Sequence, residues 1–305
     1  MNIFKGVMPA VTTKFTESGE LDLDLFKVNL QAQLQAGVHG IILGGTLGES
    51  STLNQEEKRI LVKETVSYVN GKVPVILNIA ESSTAAALLA VSHAEEDGAS
   101  GLMLLPPMRY KADDREVLNY FKAISKATEL PIMIYNNPVD YGIEVSLDLF
   151  ESLAKDCPNI VAVKESTRDI SNVTRMRSRF GSRFSILCGV DTLAMESLAM
   201  GADGWVAGLV CAFPRETCCI YELIQSENFD NFKKARELYS WFLPLLELDI
   251  NAKLVQNIKL AEYYTEIGST YVRAPRLELE GEELARVKEI IETSLAKRPI
   301  LPKYQ

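Results

Sequence analysis

The sequence predicts a (β/α)8 barrel carrying a C-terminal three-helix extension, and three patterns lead there. Eight short apolar, β-rich runs recur at about 28-residue intervals, beginning near Val7, Val38, Val73, Gly101, Ile132, Ile160, Phe184 and Gly204. Stretches with helical spacing separate them, such as Leu23, Phe26, Leu30 and Leu34. After about Asn228 the strand signal stops and only helical stripes remain.

Each pattern has a physical basis. Runs such as Val73-Pro74-Val75-Ile76-Leu77-Asn78-Ile79 are almost wholly apolar, as strands covered on both faces must be. Strands alternating with helices imply right-handed βαβ units, and eight such units close a barrel. A doubly wound open sheet would show a glycine fingerprint after its first strand, where this chain has Thr12-Thr13-Lys14-Phe15. Gly37-Val38-His39-Gly40, Gly98-Ala99-Ser100-Gly101 and Gly201-Ala202-Asp203-Gly204 form a weak internal repeat. In each, the first glycine suits a left-handed helix end, and the second lets a strand start close under the helices. The extension shows three stripes. Phe229, Phe232, Ala235, Leu238, Tyr239 and Phe242 make the first, Leu254, Ile258 and Ala261 the second. Leu284, Val287, Ile290, Ile291 and Leu295 make the third. The expected division is a barrel over 1–228 and a helical extension over 229–305 that shares its core.

Composition narrows the function. Of the 305 residues, 32 are Lys or Arg and 41 Asp or Glu, a formal charge of −9 that attracts neither phosphate backbones nor anionic lipid. No nucleic-acid or membrane partner is expected, since no apolar run approaches the roughly 20 residues of a membrane span. The opening residues lack a basic stretch leading into an apolar run, so a cytoplasmic protein without a signal peptide is expected. Cys157, Cys188, Cys211, Cys218 and Cys219 form no CxxC pair and read as buried, reduced hydrophobes. The two histidines, His39 and His93, have no metal-ligand spacing, so neither a metal nor a cofactor is expected. Polar chemistry then falls to Lys, Tyr, Thr or carboxylates.

In a barrel of this kind the chemistry sits at the C-terminal ends of strands. Ile160-Val161-Ala162-Val163-Lys164-Glu165 ends in a lysine that the barrel mouth would partly desolvate, favouring the neutral amine that attacks a ketone. A shift of three pKa units would cost roughly 4 kcal/mol. Ile132-Met133-Ile134-Tyr135 puts a phenol at the same height one strand away, where it can shuttle protons to an iminium. The glycine-rich loop Gly44-Gly45-Thr46-Leu47-Gly48-Glu49 leads into a helix near Asn54, and its amides suit an anion such as a substrate carboxylate. The Thr46 hydroxyl is placed to relay a proton to Tyr135.

Together, Gly44-Gly45-Thr46-Leu47-Gly48-Glu49, Tyr135-Asn136-Asn137-Pro138 and Val163-Lys164-Glu165 resemble the dihydrodipicolinate synthase / N-acetylneuraminate lyase family over the whole chain. That resemblance implies a (β/α)8 class I aldolase or lyase that holds pyruvate or another 2-oxo acid as a Schiff base. It implies Lys164 as the Schiff-base lysine and Tyr135 as proton donor and acceptor. Gly45, Thr46 and Leu47 would hold the 2-oxo acid carboxylate, with a backbone contact from Val206. It also implies a homo-oligomer, commonly a tetramer.

The departures concern the second substrate. Synthases proper carry two adjacent threonines in the glycine loop, where this chain has Thr46-Leu47. They carry a tyrosine pair after the fourth strand, one of which completes a relay across the dimer interface. Here the segment reads Pro106-Pro107-Met108-Arg109-Tyr110, leaving Tyr110 as a shifted substitute. Asp140 stands where an arginine binds the aldehyde's carboxylate. Tyr110, Asn137, Asp140 and Gly189 are therefore the candidate second-substrate residues. The leading expectation is a catabolic lyase, either a 2-keto-3-deoxy acid aldolase or dehydratase or a 4-hydroxy-pyrroline-2-carboxylate deaminase. Dihydrodipicolinate synthase itself is the alternative, and a non-catalytic 2-oxo acid binder is a third reading from another class.

Overall fold

Why the chain closes into a barrel is visible in its ladders. In the computed structural model, which describes residues 2–107 and 110–302, eight parallel strands pair in the order β1-β8-β7-β6-β5-β4-β3-β2. They are β1 (Gly6–Pro9), β2 (Ile41–Leu43), β3 (Val75–Ile79), β4 (Gly101–Leu104), β5 (Ile132–Asn136), β6 (Ile160–Glu165), β7 (Ser185–Cys188) and β8 (Gly204–Ala207). The last seam, between β1 and β2, is held by a parallel bridge from Ala10 to Ile42 and by the Val11 amide donating to the Ile42 carbonyl at 3.0 Å. All eight expected strands are present. The second and third begin later than expected, at Ile41 and Val75, because Val38–Gly40 and Val73–Pro74 serve as entry turns.

The barrel helices are α1 (Leu23–Ala36), α2 (Gln55–Val69), α3 (Thr84–Glu96), α4 (Asp114–Ala127), α5 (Pro138–Tyr141), α6 (Leu147–Asp156), α7 (Ser171–Phe180), α8 (Ala194–Ala199) and α9 (Pro214–Gln225). Their starts are written locally. Asn54 caps α2 and Asp113 caps α4, each in a reciprocal capping box with the glutamate three residues on. The glycine repeat behaves as expected: Gly201 follows α8 in the left-handed region (φ 94°), while a Cβ on Gly204 would lie 2.5 Å from the Gly6 carbonyl oxygen.

Three further helices complete the chain: α10 (Phe229–Leu246), α11 (Leu254–Tyr264) and α12 (Gly281–Ala296). Phe242, Leu245, Ile258, Val287 and Ile291 join the same apolar cluster as the barrel's Trp205 and Phe213. Phe229 does not join it. It sits at the first turn of α10 and is 84% exposed, one step outside the stripe that its spacing suggested. The five cysteines are buried and free. Among the described residues, no helix is long and apolar enough to cross a membrane, and no group of three or more His, Cys, Asp or Glu is arranged to hold a metal ion.

Candidate active site

Two adjacent strands bring Lys164 and Tyr135 together, and a backbone irregularity sets their register. β5 and β6 start in step, Ile132 opposite Ile160, but Met133 then faces Ala162, so Val161 is an extra residue in β6. Without that bulge Tyr135 would face Val163; with it, Tyr135 faces Lys164. Both point into the barrel mouth, and the Lys164 Nζ lies 3.9 Å from the centre of the Tyr135 ring. The lysine stem is threaded past Gly189 at the end of β7, where an added Cβ would sit 2.6 Å from Lys164 Cε and 2.2 Å from Ser166 Oγ. Gly189 therefore makes room for the lysine, and it also lines the chamber above it.

Electrostatics follow from burial. Lys164 is buried, which pulls its pKa below the ordinary lysine value, against the attraction of the nearby Tyr141, Asp249 and Asp191. The Tyr135 phenol is pushed up to about 12 by burial, although Asn137 donates to its oxygen at 3.1 Å. At neutral pH the pair is thus a weakened ammonium beside a protonated phenol, the state from which an amine attacks and a phenol gives a proton.

A cavity of about 460 Å³ opens above them, lined by Gly45, Thr46, Leu47, Tyr135, Lys164 and Val206 among others. Every residue expected to hold a 2-oxo acid therefore reaches one chamber. The Leu47 side chain is buried, and among the described residues no chain acceptor receives the Thr46 or Leu47 amide. Two free N–H groups beside a lysine suit a carboxylate.

One expectation needs correction. Thr46 Oγ1 does not meet the Tyr135 hydroxyl; it is bonded to the hydroxyl of Tyr141 at 2.8 Å. The reason is α5, a single turn that Pro138 starts and Gly142 ends, which swings Tyr141 back over the mouth. Tyr110 lies outside the chamber lining of its own chain and is exposed there, as a residue that reaches a partner's chamber would be, while Met108 and Arg109 fall outside the described residues. Asn137 and Asp140 are in place. Asn137 donates to the Asp140 carboxylate at 2.7 Å, and a guanidinium that the sequence did not suggest, Arg168 on the loop after β6, lies 3.6 Å from Asp140 and also lines the chamber. The cation thought missing after β5 reaches the site from the next strand.

Sequence reasoning also missed Tyr141, Asp191 and Asp249. Asp191 is buried just past β7 and accepts from Trp205 Nε1 at 2.9 Å and from the Leu209 amide at 2.8 Å. Its position at a strand end was a usable signal. Asp249 enters from the turn after α10, where helical periodicity carries no information about the barrel mouth.

Comparison with known proteins matches this geometry. A family model described as the Dihydrodipicolinate synthetase family matches residues 3–294. The chain belongs to this family. As a member of the dihydrodipicolinate synthetase family it is a class I lyase or aldolase working through a lysine Schiff base, which sets aside the non-catalytic reading. It is 33% identical over 294 residues to a 4-hydroxy-tetrahydrodipicolinate synthase of Exiguobacterium sibiricum, covering 95% of this chain and 97% of the relative. A relative of the same name from Aquifex aeolicus is 30% identical over 289 residues, covering 95% and 97%. The crystal structure of a dihydrodipicolinate synthase from Aquifex aeolicus superposes with a TM-score of 0.90 at 28% identity, covering 99% of this chain and all of that one. These family relatives carry the name of the alternative reading, not of the catabolic one.

Proposed function

We propose that the protein condenses pyruvate, held on Lys164, with a carboxylate-bearing aldehyde, the reaction of a 4-hydroxy-tetrahydrodipicolinate synthase using aspartate semialdehyde. The observation that carries the Schiff-base half is the register of Tyr135 against Lys164. The Lys164 nitrogen attacks the ketone carbon, and the carbonyl π pair moves to oxygen, which takes up the proton that nitrogen loses. Tyr135 then gives its phenolic proton to the departing hydroxyl, releasing water and leaving an iminium. The tyrosinate takes a proton from the methyl carbon, whose C–H pair becomes the enamine double bond. The carboxylate rests meanwhile on the Thr46 and Leu47 amides. The enamine carbon then attacks the aldehyde carbon as the nitrogen pair restores the iminium, and the aldehyde π pair moves to oxygen, which takes the Tyr135 phenolic proton. The semialdehyde's neutral amine attacks the iminium carbon and displaces Lys164; of its two N–H protons one goes to the departing lysine nitrogen and the other returns to the tyrosinate, leaving a cyclic imine.

Arg168 supports the synthase reading, because it supplies a guanidinium for the aldehyde's carboxylate. One observation favours the catabolic reading: Asp140 stands against that guanidinium and half-neutralises it, a pairing suited to hydroxyl groups. We further propose a cytoplasmic homo-oligomer, which sedimentation of the purified protein tests. The deciding experiment assays pyruvate with aspartate semialdehyde against a panel of hydroxylated 2-oxo acids. Efficient condensation supports the synthase; turnover of a panel member with none of the semialdehyde refutes it in favour of the catabolic lyase.

A further inference from the structure

The closing step of the condensation has one more proton to place than Lys164 and Tyr135 can take. The semialdehyde's nitrogen enters as an ammonium with three N–H bonds, and the nitrogen of the cyclic imine has none. One proton leaves on the lysine nitrogen and one goes to the Tyr135 oxygen. The third must leave first, because an ammonium has no lone pair with which to attack and its charge is repelled by the iminium on Lys164. A further group has to accept it.

Two carboxylates line the chamber, Asp140 and Asp249. Asp140 is engaged: Asn137 donates to it at 2.7 Å, and Arg168 lies 3.6 Å away. Asp191 is outside the lining, and its oxygens already accept the Trp205 indole and the Gly208 and Leu209 amides. Asp249 is free. It lies in the turn Glu247–Ile250 after α10, and among the described residues no hydrogen bond engages its carboxylate. That carboxylate is folded over Gly208, just past β8, where an added Cβ would lie 2.7 Å from the Asp249 Cγ. The bare glycine is what lets a residue of the extension reach the chamber that Lys164 and Arg168 also line.

We propose that Asp249 is the base that turns the second substrate's ammonium into the attacking amine, while Arg168 holds that substrate's carboxylate. The cationic iminium on Lys164 favours the ionised form of Asp249 when the step begins. One of its oxygens takes a proton from the ammonium, and the N–H pair stays on nitrogen as the lone pair that attacks the iminium carbon. The acid so formed gives its proton to water before the next turnover. One proton is then released per cycle, as the charges require: a monoanion and a zwitterion become a dianion. Burial and the neighbouring Asp191 raise the Asp249 pKa well above the ordinary carboxylate range, against the pull of Lys164, which makes it a stronger base than a surface aspartate. Asp249 touches the substrate and is a catalytic residue; Gly208 is a positioning residue. The proposal rests on the synthase reading above.

The test supplies pyruvate and aspartate semialdehyde to Asp249→Asn and reads two quantities. One is turnover; the other is the whole-protein mass after a borohydride quench, which reports what Lys164 carries. Carbon–carbon bond formation does not use Asp249, whereas closure does. The variant is expected to turn over about a hundredfold more slowly. It is also expected to hold a larger share of Lys164 than the parent as condensed adduct, heavier than the pyruvate adduct by one semialdehyde. Gly208→Ala, whose methyl displaces the carboxylate, is expected to give the same species. Turnover within threefold of the parent in Asp249→Asn overturns the proposal. So does a slow variant trapped with pyruvate alone, since its fault then precedes the carbon–carbon bond. Should Asp249→Asn not fold, Gly208→Ala carries the test by the same two criteria. A parent that forms the pyruvate adduct but leaves the semialdehyde unconsumed refutes the synthase reading itself; a parent that consumes it, beside an unaffected variant, refutes the role of Asp249 alone.

Discussion

Replacing Glu49 by Gln should destabilise the protein by about 3–5 kcal/mol, because it strands a buried ammonium. Glu49 ends the glycine loop in the left-handed region and is fully buried, with its Oε1 2.6 Å from Lys259 Nζ on α11. Lys259 also donates to the Tyr271 carbonyl at 2.6 Å, and Glu49 Oε2 accepts the Arg273 amide at 3.0 Å. The pair thus ties the glycine loop to the C-terminal helices. Burial already draws the Lys259 pKa down to about 8 against the pull of Glu49, with Lys14 lowering it further and Glu262 raising it. Without Glu49 the amine sheds its proton at neutral pH. That escape limits the lysine's share of the cost: giving up a proton held with a pKa of about 8 costs about 1.4 kcal/mol at pH 7. The rest comes from the Gln amide, whose N–H must face either the Lys259 ammonium or the Arg273 amide, a donor against a donor, at about 1–3 kcal/mol. With an unfolding entropy of about 2.1 cal/mol/K per residue, a loss of 4 kcal/mol lowers the melting temperature by about 6 °C.

The assay is thermal unfolding followed by circular dichroism from pH 7 to 10.5. The unfolded chain keeps the Lys259 proton up to about 10.4 while the folded one sheds it near 8, so the unfolded state binds more protons in that window. The lysine's contribution to stability therefore rises with pH there. In Glu49→Gln the rise starts lower, and the deficit against the parent shrinks toward pH 10.5. Adding Lys259→Met should recover at least half of the loss. A drop under 2 °C, a deficit that grows with pH, or no recovery in the double variant would refute the reasoning.

Other outcomes follow from the same geometry. Gly189→Ala should cut borohydride-trapped pyruvate adduct at least tenfold, since the new methyl collides with Lys164 Cε and Ser166 Oγ; full trapping would show that the lysine has another path. The rate of trapping should rise with pH to a half-point below 10.5, because the reactive amine is the form that burial favours, and Lys164→Ala should trap nothing; a half-point above 10.5, or an adduct in the variant, contradicts the assignment. The native protein should react slowly with a thiol reagent at pH 8 and show all five thiols only when unfolded, because burial pushes Cys188 and Cys219 to about 11 and Cys218 to about 12; rapid labelling would place a cysteine at the surface.

The fold was legible because barrel strands advertise themselves twice, by apolar composition and by the glycines that precede them. The heights of Lys164 and Tyr135 could be read from strand ends alone, but their contact depends on the Val161 bulge, which composition does not announce. Tyr141 was hidden for a similar reason. Residue 141 follows a proline and precedes a glycine, and only a helical turn between them directs it back over the chamber. Arg168 and Asp249 come from elements whose periodicity concerns other surfaces, so nothing local marks them as residues of the mouth.

Two carboxylates near Lys164 differ in what holds them, and that difference decides which one tunes the amine. Asp191 accepts from the indole of Trp205 and from the amides at Gly208 and Leu209, which oppose the upward pull of burial on its pKa and pin β7 to the end of β8. Such a carboxylate is scaffold. Among the described residues no donor reaches the Asp249 side chain, and burial together with the charge of Asp191 raises its pKa well above the ordinary carboxylate range. A carboxyl left unpaired beside an amine responds to anything that enters the chamber: an incoming anion keeps it protonated, and a cationic iminium on Lys164 draws the proton off. The charge formed in the first chemical step thus meets a group able to answer it, while Asp191 keeps its geometry. The barrel places its fixed charge in the strand layer and its responsive one on the extension.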